Sequence, residues 1–156
     1  MADDLLKKSE LVGLIKHLYS LDDHILGHYK CKEDEQGRIT ASIHLYWGII
    51  ALVAGILGVT VEALTITVLA HELAHAYTHL GADIDGRRWD TSSFMNTDKA
   101  VKEGLAQYYT RQIVRKLKQV HDMPGPEEAY TKLLSQQPEE YNVQETWVDA
   151  KYTAED

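Results

Sequence analysis

Residues 60 to 81 read TVEALTITVLAHELAHAYTHLG. Thr60 is a natural N-cap, Glu62 suits the positive end of a helix dipole, and Gly81 is a natural stop. The spacing between them predicts one helix. Within it, His71-Glu72-Leu73-Ala74-His75 is an HExxH motif. Two residues four apart on a helix lie about 40° apart around the axis and roughly 6 Å along it, so both imidazoles reach one metal ion. Such a pair with an open coordination position suits Zn²⁺. Glu72 stands beside the pair but off its row, where a carboxylate takes a proton from metal-bound water. Ile66, Leu69, Ala70, Leu73, Tyr77 and Leu80 form one apolar stripe, and His71 and His75 share the opposite side with Leu64 and Val68. A helix apolar nearly all round is central to a fold, and two histidines buried there without a partner are costly. The competing reading, a pair of hydrogen-bonded core histidines, gives Glu72 no reason to stand where a base is needed.

The site lacks a third ligand, and the next helix offers one. Asn96 or Thr97 caps a segment running from about Asp98 to Val120, with Val101, Leu105, Tyr108, Tyr109, Ile113, Leu117 and Val120 as its apolar stripe. Glu103 and Gln107 lie four apart on another face, with Thr110 beyond them. Glu103 completes a His₂Glu set, and Gln107 is placed to hydrogen-bond a ligand and fix its orientation. By position alone Glu103 is an ordinary solvated glutamate; the incomplete metal pair is what favours it. Asp83 and Asp85, in a Gly- and Asp-rich turn, are the alternative source. His79 is disfavoured, because it lies roughly 12 Å from His71 along a straight helix.

Val68 to Ala76 followed by Glu103-Gly104-Leu105-Ala106-Gln107 resembles the gluzincin metallopeptidases, which pair HExxH with a glutamate on a following helix. The EGxxQ form is similar to the peptidase domain of plant LIM proteins, and the chain length to minimal stand-alone gluzincins. The likeness covers roughly residues 38 to 115. It implies a zincin-like fold with an active-site helix, a glutamate-bearing helix and a small β-ribbon or sheet. It also implies His71, His75 and Glu103 as zinc ligands and Glu72 as general base and acid. At Gln107 one branch of the clan has an aspartate that orients a ligand histidine, and a neutral amide raises ring basicity less. The donor to the transition state is not placed by motif; His79, Tyr109, Tyr130 and Tyr141 are the candidates.

At 156 residues the chain is expected to be one α+β, mostly helical domain, with residues 124–156 as an extension packed on it. A formal charge of −8 argues against nonspecific nucleic-acid binding. One cysteine, Cys31, excludes an internal disulfide and is consistent with a reducing compartment. The N-terminus has no basic region before an apolar stretch, so no signal peptide is read and the expected location is cytoplasmic. The run from Leu45 to Val61 carries no charge but is short for a membrane span and contains Gly48, Gly55 and Gly58. It reads as a buried helix, and no membrane partner is expected.

Residues 4 to 20 suggest an amphipathic first helix. Arg38 to Leu45 alternates Ile39, Ala41, Ile43 and Leu45 with polar residues and reads as a strand. Its partner is expected near His24 to Tyr29, with a charged loop at 31–37 between them. Two readings stand for residues 38–45: a plain hairpin, or, by the resemblance, an edge that binds extended peptide. Residues 81–96 read as a long loop pinned by Trp89 and Phe94, in which Arg87 and Arg88 are either solvated or bind a substrate carboxylate. Residues 127–137 suggest a short helix. The acidic segment 138–156, with Tyr141, Trp147 and Tyr152 as anchors, is open between a wrap, a partner site and an inhibitory plug. The leading functional reading is a zinc-dependent metallopeptidase acting on peptide or protein substrates. Its rival is a zinc-binding regulatory or interaction module of the same fold without turnover.

Overall fold

The computed structural model describes residues 9–10, 13–18, 24–81, 88–137 and 141–142. Strands β1 (Gly27–Glu33) and β2 (Ile39–Leu45) are followed by helices α1 (Trp47–Leu57), α2 (Val61–Leu80), α3 (Thr91–Asn96), α4 (Lys99–His121) and α5 (Gly125–Leu134). The class is α+β and mostly helical, as the sequence implies. Of the expected first helix, residues 9–10 and 13–18 are helical. Asp83, Asp85, Arg87, Trp147 and Tyr152 lie outside the described residues.

The ribbon is antiparallel, in a register that sets Gly27 opposite Leu45 and Glu33 opposite Ile39. Its first strand starts later and runs further than expected, through Cys31-Lys32-Glu33. Those residues stand on the projecting, largely solvated end of the ribbon, so their charge does not end the backbone pairing. The turn closes on Asp34, whose side chain accepts from the backbone N–H groups of Gln36 and Arg38, each at 2.9 Å. Gly37 supplies the positive φ, 74°, that the turn requires. The pairs Leu26–Tyr46 and Asp34–Arg38 are hydrogen-bonded. Pairing alternates along an antiparallel ladder, so the N–H and C=O groups of Gly27, Tyr29 and Cys31 point away from β2.

Helix α2 begins as its sequence implies: Thr60 Oγ1 accepts from Ala63 N at 3.1 Å. It ends at Gly81, but in extended rather than left-handed backbone. Glycine is required there because a β-carbon would overlap the carbonyl oxygen of Tyr77. The cap of α4 is Asp98, which accepts from Ala100 N at 2.8 Å, rather than Asn96 or Thr97. Part of the expected loop at 81–96 is the short helix α3, capped by Asp90 and pinned by buried Phe94, with Trp89 edge-on to its ring.

The faces of the two long helices are reversed from the hydropathy pattern. On α2 the buried residues include Ala63, Leu64, Thr67, Val68, Ala70, Ala74, His75 and His79, whereas Leu73 is 48% and Tyr77 57% exposed. On α4 the buried face is Glu103, Gly104, Ala106, Gln107, Thr110 and Val114, while Val101, Tyr108, Ile113 and Val120 are exposed. A helix apolar nearly all round gives hydropathy no means to choose a face. The small residues Ala70, Ala74, Gly104 and Ala106 line the sides on which the two helices bury themselves, and they allow close approach.

The core joins Ile15, Leu26, Ile50, Val53, Leu64, Val68, Ala129 and Leu133. A second cluster joins Val114, Tyr130, Leu134 and Tyr141. Helix α5 supplies both clusters, so residues 125–134 are built into the same body as α2 and α4. Helix α1 is only half-buried: Ile50, Val53 and Ala54 face inward, and Trp47 is 79% exposed. No single described helix is long and apolar enough to cross a membrane, and α1 and α2, which pass such a test only together, are bent by 119°. Thr60→Ala removes the cap of the helix that carries HExxH. It is expected to lower unfolding free energy by about 1 kcal/mol in a urea titration, with an unchanged slope.

Candidate metal centre

Helices α2 and α4 bring three side chains to one point. His71 Nε2 lies 3.2 Å from Glu103 Oε2 and 3.2 Å from His75 Nε2. His75 Nε2 lies 3.5 Å from Glu103 Oε2. A tetrahedral ion bound at about 2.05 Å sets its ligand atoms about 3.3 Å apart, so all three edges match. The two rings meet edge to face, at 90°. Among the described residues this is the only group of three His, Cys, Asp or Glu side chains able to hold a metal.

The electrostatics call for a cation between them. Burial alone pushes the His71 pKa down, yet the hydrogen bond and charge of Glu103, with help from Glu72, raise it above the ordinary histidine value. Burial likewise pushes Glu103 up, but its hydrogen bonds to His71 and His75 and their charges hold it well below the usual carboxylate range. Lone pairs on three buried atoms at this spacing repel unless a proton or a metal ion lies among them. Two imidazole nitrogens and a carboxylate oxygen are a donor set that suits zinc.

Glu72 is buried on the same helix, and among the described residues its Oε2 has no hydrogen-bond partner. The start of β1 lies against it. A β-carbon on Gly27 would come within 3.0 Å of Glu72 Oε1 and 2.8 Å of Val68 Cγ1, so only glycine admits this approach. The strand whose backbone reaches Glu72 is therefore β1. The signal for it in the sequence is an isolated glycine inside a strand pattern.

A cavity flanks Glu72 and His71, lined also by His24, Gln107 and Tyr141. It has about 30 Å³ of room for the centres of water-sized spheres, enough for about two waters. Tyr141 is buried and stacks on His71, with centroids 6.0 Å apart and planes 26° apart, and Lys99 lies 5.9 Å from the Tyr141 ring centroid. His24, unassigned in the sequence, enters the site from the segment before β1.

Other expected site residues are placed elsewhere. Gln107 hydrogen-bonds neither ligand histidine; its Nε2 donates to Gln137 Oε1 at 2.9 Å. His79 is buried with its Nδ1 2.8 Å from Tyr29 Oη and its Nε2 3.2 Å from Thr91 Oγ1, and its ring stacks on Phe94. Burial lowers its pKa, only partly opposed by Glu33. Its partner Tyr29 is pushed up to about 12 by burial, with Cys31 adding to the rise. This neutral pair fastens β1 to the end of α2 and does not line the cavity. Tyr109 packs edge-on to Tyr77 and Tyr108, also away from the cavity. Tyr130 does line it, and its hydroxyl donates to the Gln107 carbonyl at 3.4 Å. Arg88 is exposed.

No family model, curated protein or solved structure matches the chain.

Calorimetric titration is expected to show one zinc ion per chain. Glu103→Ala should weaken binding by more than the roughly 10–100-fold that loss of an outer-shell partner costs. Affinity should fall as pH drops from about 8 to about 6. The raised pKa of His71 means that the metal-free protein holds that proton to higher pH, and zinc must displace it, while Glu103 stays ionised throughout. A pH-independent affinity, or zinc binding untouched by Glu103→Ala, contradicts this ligand set.

Proposed function

We propose that this chain is a zinc-dependent peptidase of the gluzincin type. The observation that carries the reading is the pairing of the His71–His75–Glu103 triangle with an adjacent buried carboxylate oxygen that has no partner among the described residues. A structural metal site has no use for such a carboxylate, and a buried acceptor left unmatched is costly. His71, His75 and Glu103 would hold a zinc ion, which would supply Lewis acidity toward water and a peptide carbonyl.

The remaining work falls to the chain itself. Glu72 Oε2 takes the proton of the attacking water and returns it to the leaving amine. The contact with Gly27 restricts the movement of the Glu72 carboxylate. Among the described residues, the outward N–H and C=O groups of Gly27, Tyr29 and Cys31 have no backbone partner and form a strand edge that begins at Glu72, and an extended peptide pairs with such an edge. Among the tyrosines proposed as donors to the developing oxyanion, Tyr141 and Tyr130 line the cavity beside Glu72, and Tyr141 also touches a ligand ring. The reading therefore favours these two over His79 and Tyr109.

Glu72→Gln is expected to keep one bound zinc and to lose cleavage of a mixed peptide library by about 10²–10⁴-fold. Undiminished cleavage removes Glu72 as the base. Absence of cleavage by the zinc-loaded wild type, across a broad library, rejects the peptidase reading.

A further inference from the structure

We infer that the cavity beside Glu72 is a side-chain subsite selecting a small, uncharged hydrogen-bond donor, a serine or threonine, next to the bond being cleaved. The inference rests on the peptidase reading and adds a substrate class to it.

The cavity is enclosed in part by apolar walls, Leu26, Val68 and Leu133, but besides Glu72 three more of its lining residues are deeply buried and polar. Thr67 is 2%, Thr110 1% and Gln107 3% exposed. Polar side chains at that depth are costly unless they have partners. The protons of the two hydroxyls are already committed. Thr110 Oγ1 donates to Ala106 O at 2.7 Å, and Thr67 Oγ1 lies 3.0 Å from Ala63 O and 2.9 Å from Pro126 O. The side-chain amide nitrogen of Gln107 donates one of its two protons to Gln137, and the side-chain oxygen Oε1 accepts no bond among the described residues. What these groups still offer is mainly acceptor capacity: two hydroxyl oxygens and an amide oxygen beside one remaining amide N–H, with Glu72 Oε2 on the same cavity.

Such a mixed set, weighted toward acceptors, binds a hydroxyl, which donates and accepts at once, and the Glu72 carboxylate repels another carboxylate. Room for about two waters matches the two heavy atoms of a serine side chain. Lysine and arginine are donors but too long. Leucine is too large, and it leaves the acceptors unmatched. Threonine fits where its methyl group meets the apolar walls.

The test uses zinc-loaded wild-type protein and two peptide hydroxamates identical except for a serine or a leucine side chain next to the zinc-binding group, with Kd measured by calorimetry. The seryl compound is expected to bind tighter by roughly 10-fold or more. Gln107→Leu, or Thr110→Val where the first variant does not fold, is expected to erase or reverse that preference. A merely structural role for these residues would weaken both compounds alike. If zinc binds and the leucyl compound binds as well or better, the subsite is wrong and the peptidase reading stands. If no zinc binds, the peptidase reading fails and takes the subsite with it.

Discussion

The close meeting of α2 and α4 through their polar sides governs the rest of this structure. Three lone-pair-bearing atoms are held within 3.5 Å of one another in a site where Glu103 and His75 are almost fully buried. Without a proton or a metal ion among them that arrangement is unfavourable, so the packing of the two helices creates a place that could hold one metal ion. Small side chains at Ala70, Ala74, Gly104 and Ala106 leave room for the approach. The same constraint explains why apolar residues such as Leu73 and Ile113 are turned outward.

The ribbon and α5 complete the site from two other directions. Gly27 brings the backbone of β1 onto Glu72, and the Tyr29–His79 bond fastens the same strand at the far end of α2. A carboxylate on a rigid helix, with a strand across it, keeps its position better than one on a loop. Helix α5 contributes Tyr130 and Leu133 to the cavity wall, and Tyr141 beyond it rests on His71. Helix α5 and Tyr141 are therefore part of the architecture around the candidate metal centre.

Much of this was legible in the sequence because it depends on local chemistry. The cap at Thr60, the spacing of His71 and His75, the alternation of residues 39–45 and the glutamate helix are all short-range patterns. What was not legible depends on tertiary packing. Glu103 looks like any surface glutamate until α4 is placed against α2. The apolar stripe of α2 misled because that helix is apolar nearly all round, so the partner and not hydropathy chooses its face; on the more charged α4 the buried side is the one that carries Glu103 and Gln107. Gln107 and His79 stand at plausible spacings, yet their neighbours are Gln137 and Tyr29, thirty and fifty residues away in the chain. Strand β1 was shortened in anticipation because its charged end resembled a loop, although backbone pairing continues wherever such side chains are solvated.

The central claim is that His71, His75 and Glu103 jointly hold one zinc ion. A crystal grown with zinc, with anomalous difference maps collected on both sides of the zinc absorption edge, tests it most directly. The account predicts a single peak bonded to Nε2 of both histidines and to the Glu103 carboxylate, with Glu72 facing the remaining position. A peak elsewhere on the chain, or Glu103 turned away from the metal, would contradict it.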